Sequence, residues 1–202
     1  MTGDDDGRPR LADQRDVESV YQPAEDSRLL AETVVGYLDG DERVLDVGTG
    51  SGFVGRRVAE ATDATVLATD LNPHACRQAA DEGLQVVRAN LLDPFSAGAV
   101  DVVVFNPPYL PTSPDRESED WMQRALSGGE SGRAVVEPFL ADLRRVLAPG
   151  AEAFLLVSSL TGIEAVRDHA RANGLTTMGI AEEAHPSERL VVLSLVPSRG
   201  NN

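Results

Sequence analysis

The stretch RVLDVGTGSGFVG, Arg43 to Gly55, decides the fold class of this 202-residue chain. It opens with apolar β-formers, as in a strand buried on both faces. Gly48, Gly50 and Gly52 then give a G-x-G-x-G turn, in which missing side chains let a ligand lie against the backbone. The same stretch also matches G-x-G-x-x-G, ending at Gly55, so dinucleotide binding is an alternative at this point.

Outward from this turn, strands and helices alternate. Strands are predicted at 43–47, 65–70, 85–89, 100–105 and 152–158. Helices are predicted before the first strand, from Pro23 to Leu38, and then at about 53–61, 73–82, 132–147 and 162–173. The final segments, 176–184 and 189–196, have no helix between them and predict an antiparallel hairpin. The pattern indicates an α/β protein with a mostly parallel, Rossmann-like sheet and helices on both faces.

Length and composition predict one domain. With 42% hydrophobic residues, the chain can build one well-buried core. Residues 1–16 are polar and predict a disordered or loosely docked arm, and residues 17–198 predict a single domain. The long irregular segment from Pro111 to about Gly132 is of a length that is usually functional or mobile.

Several classes of protein are disfavoured. No apolar run approaches the roughly 20 residues of a membrane span, and the N-terminus has no apolar signal core, so we expect a cytoplasmic protein without a membrane partner. The single cysteine, Cys76, excludes an internal disulfide. No metal is expected, because His74, His169 and His185 are scattered rather than set at ligand spacing.

The charge balance suggests adaptation to salt. The net charge is -15, and all 18 basic residues are arginine. Dense carboxylates keep proteins soluble at high salt, so we expect a halophilic archaeon, with a GC-rich, acid-biased genome as the alternative. Such a surface disfavours direct nucleic-acid binding in dilute buffer. In molar salt this repulsion is largely screened, because the Debye length is only ~3 Å.

Polar residues follow successive predicted strands. Asp46 precedes the glycine turn, Asp70 ends the second strand and Asn90 follows the third. The carboxyl ends of parallel strands form the ligand edge of open α/β sheets. There Asp46 could accept from an ammonium, Asp70 from both ribose hydroxyls, and Asn90 could meet a base.

The fourth strand ends in VVVFNPPYLP, Val102 to Pro111, a stiff polar corner. Asn106 offers an amide oxygen, and the carbonyl of Pro107 lies beside it where proline cannot extend the sheet. Two acceptors a few ångströms apart match the two hydrogens of a planar NH₂ group. Tyr109 adds a face for stacking. A hydride-transfer site has no use for this corner, which therefore favours an adenosyl ligand over a dinucleotide.

Together these motifs resemble class I S-adenosylmethionine-dependent methyltransferases acting on exocyclic or amide nitrogen. VYQPAEDSRLL, NPPYLP and SGGESGRAVVEPFL are more narrowly similar to the HemK-like family, in its archaeal and eukaryotic branch. That branch methylates, at N5, the glutamine of the Gly-Gly-Gln motif in class 1 translation release factors. The resemblance covers about residues 20–196.

The resemblance implies a seven-stranded sheet of order 3-2-1-4-5-7-6, with the last strand antiparallel. It implies S-adenosylmethionine as cofactor and S-adenosylhomocysteine as product. The partners would be the class 1 release factor as substrate and a small zinc-binding activator subunit, forming a heterodimer. The activator would cover the edge strand near 85–89, where an unprotected edge invites strand addition. The alternative is an edge already protected by its shortness and by Arg88.

The resemblance also implies site residues. The substrate amide would meet Asn106, Pro107 and Tyr109. Contacts to the cofactor would come from Tyr21, Ser27, Asp46, Gly48, Gly50, Gly52, Asp70, Asn90, Leu91 and Asn106. No catalytic base is assigned, because the amide nitrogen of the substrate becomes acidic only as it gains positive charge during methyl transfer. Glu25 and Asp26 are interpreted as helix-cap or helix-dipole residues.

Three other functions remain open. The same corner could hold the N6 amine of adenine or the N2 amine of guanine in DNA or RNA, although the chain shows no basic groove. An inactive cofactor-binding scaffold subunit is possible, but the intact NPPY speaks against it. A protein-lysine substrate is conceivable, although a flat amide slot suits an aliphatic ammonium poorly.

Overall fold

The structure is a computed structural model that describes residues 20–116 and 120–198. The arm predicted at residues 1–16 lies outside the described residues, as does the start of the domain predicted at 17–198. The strands are β1 (Arg43–Val47), β2 (Thr65–Asp70), β3 (Gln85–Arg88), β4 (Val100–Phe105), β5 (Leu147–Ser158), β6 (Leu175–Ala184) and β7 (Arg189–Pro197). The helices are α1 (Glu25–Tyr37), α2 (Phe53–Ala61), α3 (Pro73–Asp81), α4 (Trp121–Leu126), α5 (Val136–Val146) and α6 (Ile163–Ala172).

The strands form one sheet in the order β3-β2-β1-β4-β5-β7-β6, which confirms the predicted topology. Strands β1 to β5 pair in parallel. Strand β7 pairs antiparallel with both β5 and β6, as the hairpin prediction required. From β1 the chain adds strands first on one side of the sheet, to β3, and then on the other side, from β4. Open α/β sheets bind their ligands at such a switch point, here between β1 and β4.

The core lies on both faces of this sheet, because successive side chains of a strand point to opposite faces. On one face, Val102 and Val104 pack with residues of α1, α2 and α3. On the other face, Val103 and Phe105 pack with residues of α5 and α6. β4 is thus clamped from both sides just before the polar corner that follows it.

Two elements differ from the sequence prediction. Strand β5 begins at Leu147, inside the predicted helix 132–147, and its pairing with β4 shifts register between Val100 and Val102. Helix α4 lies inside the segment predicted to be irregular, and Asp120 caps it by accepting from the backbone N–H groups of Met122 and Gln123. Six residues are too few to show helical periodicity. No helix of the described segments is long and apolar enough to cross a membrane.

Candidate active site

A cavity of about 600 Å³ opens where the carboxyl ends of β1 to β4 meet. Its lining includes most of the predicted site residues, namely Tyr21, Ser27, Asp46, Gly48, Gly50, Asp70, Asn90, Leu91 and Asn106. The other predicted residues, Gly52, Pro107 and Tyr109, are not part of the lining. Helix α4 adds residues that sequence reasoning missed, among them Trp121 and Arg124.

The glycines of the turn have two different roles: some border the cavity, and one allows close packing against a helix. Gly48, Gly50 and Gly52 all have positive φ, at 61°, 55° and 83°. A Cβ atom at Gly52 would lie 3.1 Å from both Cα and Cβ of Ala79 in α3. At Gly50 the nearest atom would be the carbonyl oxygen of Tyr21, at an ordinary 3.8 Å. Gly52 is therefore required for packing, whereas Gly50 leaves the cavity wall open.

Asp46 is a buried acid in the cavity wall, with 3% of its surface exposed. Its Oδ2 atom accepts from the Thr49 hydroxyl at 2.6 Å and from the Gly55 backbone N–H at 2.9 Å. Burial nevertheless raises the pKa of Asp46 to about 6. A cationic group of a ligand would satisfy this carboxylate, because an opposite charge favours the ionised form.

Asp70 connects β2 to the glycine turn. Its Oδ2 atom accepts from the Gly50 backbone N–H at 2.9 Å, and its Oδ1 atom accepts from the Asn72 N–H at 2.8 Å. Burial raises the pKa of Asp70 above its ordinary value. Each carboxylate oxygen can accept a further hydrogen bond, so a pair of ligand hydroxyls could share this group.

The turn after β3 carries Asn90 and Leu91. Asn90 donates its Nδ2 to Asp93 Oδ2 at 3.2 Å, which leaves its amide oxygen as the available acceptor. Leu91 has φ 47°, a conformation that costs a non-glycine residue about 1 to 3 kcal/mol. Arg145 of α5 anchors the turn by donating to the carbonyls of Leu92, at 3.0 Å, and of Phe95.

The corner after β4 is tied to α1. Asn106 Nδ2 donates to Asp26 Oδ2 at 3.2 Å and lies 3.4 Å from the Ser27 hydroxyl. The Oδ1 atom of Asn106 is buried and has no hydrogen-bond partner among the described residues. An unmet buried acceptor costs about 1 to 3 kcal/mol, so the corner is suited to a ligand that donates an N–H.

Two tyrosines surround the same acid. The Tyr21 hydroxyl lies 3.1 Å from both carboxylate oxygens of Asp26. Burial, followed by the negative charge of Asp26, raises the pKa of both Tyr21 and Tyr109. Both phenols therefore stay protonated and serve as neutral donors. Tyr109 packs against the core face that contains Val102, Val104 and residues of α1, outside the cavity lining.

The glycine-rich stretch SGGESG, at 127–132, lies directly against the corner. Leu110 N–H donates to the Leu126 carbonyl at 3.0 Å, and Gly128 N–H donates back to the Leu110 carbonyl at 2.9 Å. A Cβ at Gly132 would lie 2.7 Å from the carbonyl oxygen of Tyr109. These glycines allow backbone to pack on backbone, and the segment predicted to be irregular thereby buttresses the corner.

Comparison with known proteins identifies the family. The family model of the methyltransferase small domain matches residues 11–126. A Methanocaldococcus jannaschii protein, provisionally named a protein N5-glutamine methyltransferase, is 32% identical over 181 residues, covering 87% of this chain and 90% of the relative. The human methyltransferase HEMK2 is 30% identical over 193 residues, covering 89% and 90%. The chain belongs to the HemK-like methyltransferases.

Solved structures agree with this family assignment. The HemK-like fold matches a chain in the E. cuniculi Mtq2-Trm112 complex with a TM-score of 0.74 and 28% identity. The match covers 89% of this chain and 99% of that one, and that complex is described as methylating the eRF1 translation termination factor. A ribosomal protein L11 methylase from Lactobacillus delbrueckii, with a TM-score of 0.66 and 14% identity, shares the fold.

Within this HemK-like methyltransferase, Asp26 is the residue of the site that sequence reasoning underestimated. Glu25 and Asp26 both lie in the first turn of α1, as the helix-dipole interpretation requires. The N-cap position, however, is Ala24, and Asp26 is only 4% exposed. Its place inside VYQPAEDS, the segment that carried the family resemblance, was the available signal. No group of His, Cys, Asp and Glu in the described segments could hold a metal ion.

Proposed function

We propose that this HemK-like methyltransferase uses S-adenosylmethionine to methylate N5 of the glutamine in the Gly-Gly-Gln motif of a class 1 release factor. The observation that carries the proposal is the Asn106 amide, which lines the cavity and has a buried oxygen without a partner among the described residues. The glutamine substrates in the names of the relatives support an amide as the methyl acceptor. The methylation of eRF1 by the E. cuniculi complex supports a termination factor as the protein that carries this amide.

The donor and acceptor set of the cavity fits the proposed cofactor. Asp46 supplies a buried carboxylate for the ammonium of the methionine part, and Ser27 and Tyr21 line the same cavity. Asp70 is proposed to accept from the two ribose hydroxyls, and the Asn90 amide oxygen from the adenine amine. The backbone of Gly48, Gly50 and Leu91 would complete the walls, and Gly52 would act through packing. When bound, S-adenosylmethionine supplies an electrophilic methyl group and leaves as S-adenosylhomocysteine.

The corner is proposed to make an amide nitrogen reactive by holding it. The Asn106 oxygen and the Pro107 carbonyl would each accept one N–H hydrogen, which returns electron density to a nitrogen whose lone pair is delocalised. Tyr109 would stack on the amide plane. Fixing this nitrogen in line with the methyl group gives an advantage that can reach about 7 to 11 kcal/mol. No general base is needed before the methyl group is transferred, and the methylated nitrogen then releases one N–H proton to water.

A direct assay tests this proposal. The purified chain, co-expressed with its candidate activator, is incubated with S-adenosylmethionine and the release factor, and the Gly-Gly-Gln peptide is sequenced by mass spectrometry. We expect one added CH₂ group on the glutamine, and none when the substrate carries glutamate there. Methyl transfer to adenine or guanine of nucleic acid, with the glutamine unmodified, would contradict the proposal and support the nucleic-acid alternative.

We also propose that a small zinc-binding activator subunit docks on β3. This strand pairs with β2 at the edge of the sheet, and Val87 and Leu71 there are 40% and 46% exposed. The Trm112 named with the E. cuniculi enzyme supports a partner of this kind. Co-purification should be lost with Val87→Glu and kept with Met178→Glu, a matched change on β6 at the opposite edge. A wild-type chain that is monomeric, soluble and fully active alone would contradict this docking.

The remaining proposals concern setting and organisation. A termination factor as substrate implies a cytoplasmic enzyme, and the charge of -15 with arginine as the only basic residue type supports a halophilic archaeon. We expect activity to persist in molar KCl. Residues 17–198 are proposed to form one domain after an arm at 1–16, so removal of the arm should leave the domain folded.

A further inference from the structure

The carboxylate of Asp26 is held in place from several directions. Its Oδ1 atom accepts from the Ser27 backbone N–H at 2.6 Å, and the Tyr21 hydroxyl reaches both oxygens. Its Oδ2 atom also accepts from Asn106 Nδ2 at 3.2 Å. A carboxylate held in this way offers an acceptor at a fixed position on α1 to the corner that follows β4.

This contact determines how the Asn106 amide is oriented. An ionised carboxylate only accepts hydrogen bonds, whereas an amide has one accepting and one donating end. If the Asn106 amide were turned by half a rotation, its oxygen would face the oxygens of Asp26 with no hydrogen between them. Asp26 therefore favours the orientation in which Nδ2 faces α1. The oxygen is then the end without a partner among the described residues.

We infer that Asp26 is a positioning residue that presents the Asn106 oxygen to a substrate NH₂ group. The inference rests on the proposed transfer to an amide nitrogen and adds a residue to which no role in that reaction has been given. Hydrogen bonds that are linked in series through one group polarise one another. The Asp26 carboxylate draws on the Nδ2 hydrogens and so makes Oδ1 a stronger acceptor.

Single-turnover methyl transfer tests the effect on the reaction. Asp26→Asn keeps the shape of the side chain but lets residue 26 donate to the Asn106 oxygen, which permits the wrong orientation. We expect the single-turnover rate to fall by about 10-fold to 100-fold, with a much smaller change in affinity for S-adenosylhomocysteine. Glu25→Gln, which removes the neighbouring exposed charge of the same helix turn, should keep the wild-type rate. A wild-type rate in Asp26→Asn would overturn the inference.

A reciprocal exchange separates orientation from simple packing. In the double variant Asp26→Asn with Asn106→Asp, residue 26 donates and residue 106 keeps a free carboxylate oxygen. We expect this variant to react at least about tenfold faster than Asn106→Asp alone, in which two carboxylates face each other. Losses that add up in the double variant would contradict an orienting role.

A third measurement requires no methyl acceptor. In ¹⁵N-labelled protein, the Asn106 side-chain NH₂ protons should exchange with water more slowly in the wild type than in Asp26→Asn, and Glu25→Gln should match the wild type. Equal exchange in all three proteins would overturn the inference. If the wild type fails to methylate glutamine, the proposed function is wrong, whereas this exchange measurement still decides the role of Asp26.

Discussion

The Nδ2 atom of Asn106 lies 3.2 Å from Oδ2 of Asp26, although 80 positions separate the two residues in the sequence. The contact joins the first turn of α1 to the end of the central strand β4. The corner proposed to hold the substrate amide is therefore assembled from two distant segments.

Removal of the Asn106 amide should nearly abolish methyl transfer. We expect Asn106→Ala to lower the single-turnover rate by about 100-fold to 1,000-fold, the loss typical of removing one preorganised hydrogen-bonding group at a reacting centre. Affinity for S-adenosylhomocysteine, measured by calorimetry, should change much less, because Asp46 and Asp70 are untouched. A near wild-type rate would refute the proposed role of the corner.

Cofactor binding should weaken in acid because of Asp46. The pKa of Asp46 is raised from 3.8 to about 6. Below that pH its side chain is protonated and neutral, so it no longer attracts an ammonium group as an anion. Affinity should fall as the pH drops through about 6, approaching tenfold per pH unit. By the same shift, the contribution of Asp46 to the stability of the cofactor-free protein should decrease as pH rises from 3.8 to about 6, because the folded state holds this proton more tightly than the unfolded state.

Asp46→Asn provides the control for this pH dependence. The variant should bind the cofactor weakly at every pH, and its affinity should lack the inflection near pH 6. Calorimetric titrations from about pH 7 to about pH 5 compare the two proteins. A wild-type affinity that does not vary over this range would exclude Asp46 as the ammonium partner.

Asp70→Ala should act on binding of the cofactor. The change removes the proposed ribose acceptor and also the partner of the Gly50 backbone N–H. Each hydrogen bond to a charged group contributes about 1.5 to 3 kcal/mol, so we expect the dissociation constant to rise by at least about tenfold. Asp81→Ala, at the exposed end of α3, is the matched control and should bind normally. Unchanged binding by Asp70→Ala would rule out the ribose role.

Two glycines of the same turn should respond differently to alanine. Gly52→Ala places Cβ 3.1 Å from Ala79 at φ 83°, so we expect a loss of about 1 to 3 kcal/mol in the free energy of unfolding. Gly50→Ala shares the cost of a positive φ, at 55°, but has room at 3.8 Å, so it should lose less stability than Gly52→Ala, and its methyl group in the cavity wall should lower cofactor affinity. Chemical denaturation and calorimetry on both variants check this, and the reverse ranking would contradict the assignment of the two glycines.

Most of the predicted site residues line the cavity, and the strand order followed from the family resemblance. Asp46, Asp70, Asn90 and Asn106 each lie at or just beyond a strand end, and parallel strands bring their carboxyl ends to one edge. The position of each polar residue at a strand end therefore predicted that these side chains lie close together. The same rule does not separate a glycine that borders the ligand from one that packs a helix. Gly52 fits the motif, but its neighbour Ala79 is known only once α3 is placed.

Other parts of the site could not be predicted because they depend on contacts between distant segments. Asp26 reads as an ordinary acid of a first helical turn until α1 is packed beside the end of β4. Helix α4 is too short for a periodic signal, yet Trp121 and Arg124 line the cavity. The positive φ of Leu91 follows from a turn that Arg145 anchors from another helix.

The fit of the SGGESG stretch against the corner has a consequence for engineering. A Cβ at Gly128 would lie 2.5 Å from the carbonyl oxygen of Gly132, and one at Gly132 would meet Tyr109. Libraries that diversify these positions would mostly return unfolded protein. Selection for a new methyl acceptor should instead vary Gln123 and Arg124, which are exposed and line the same cavity.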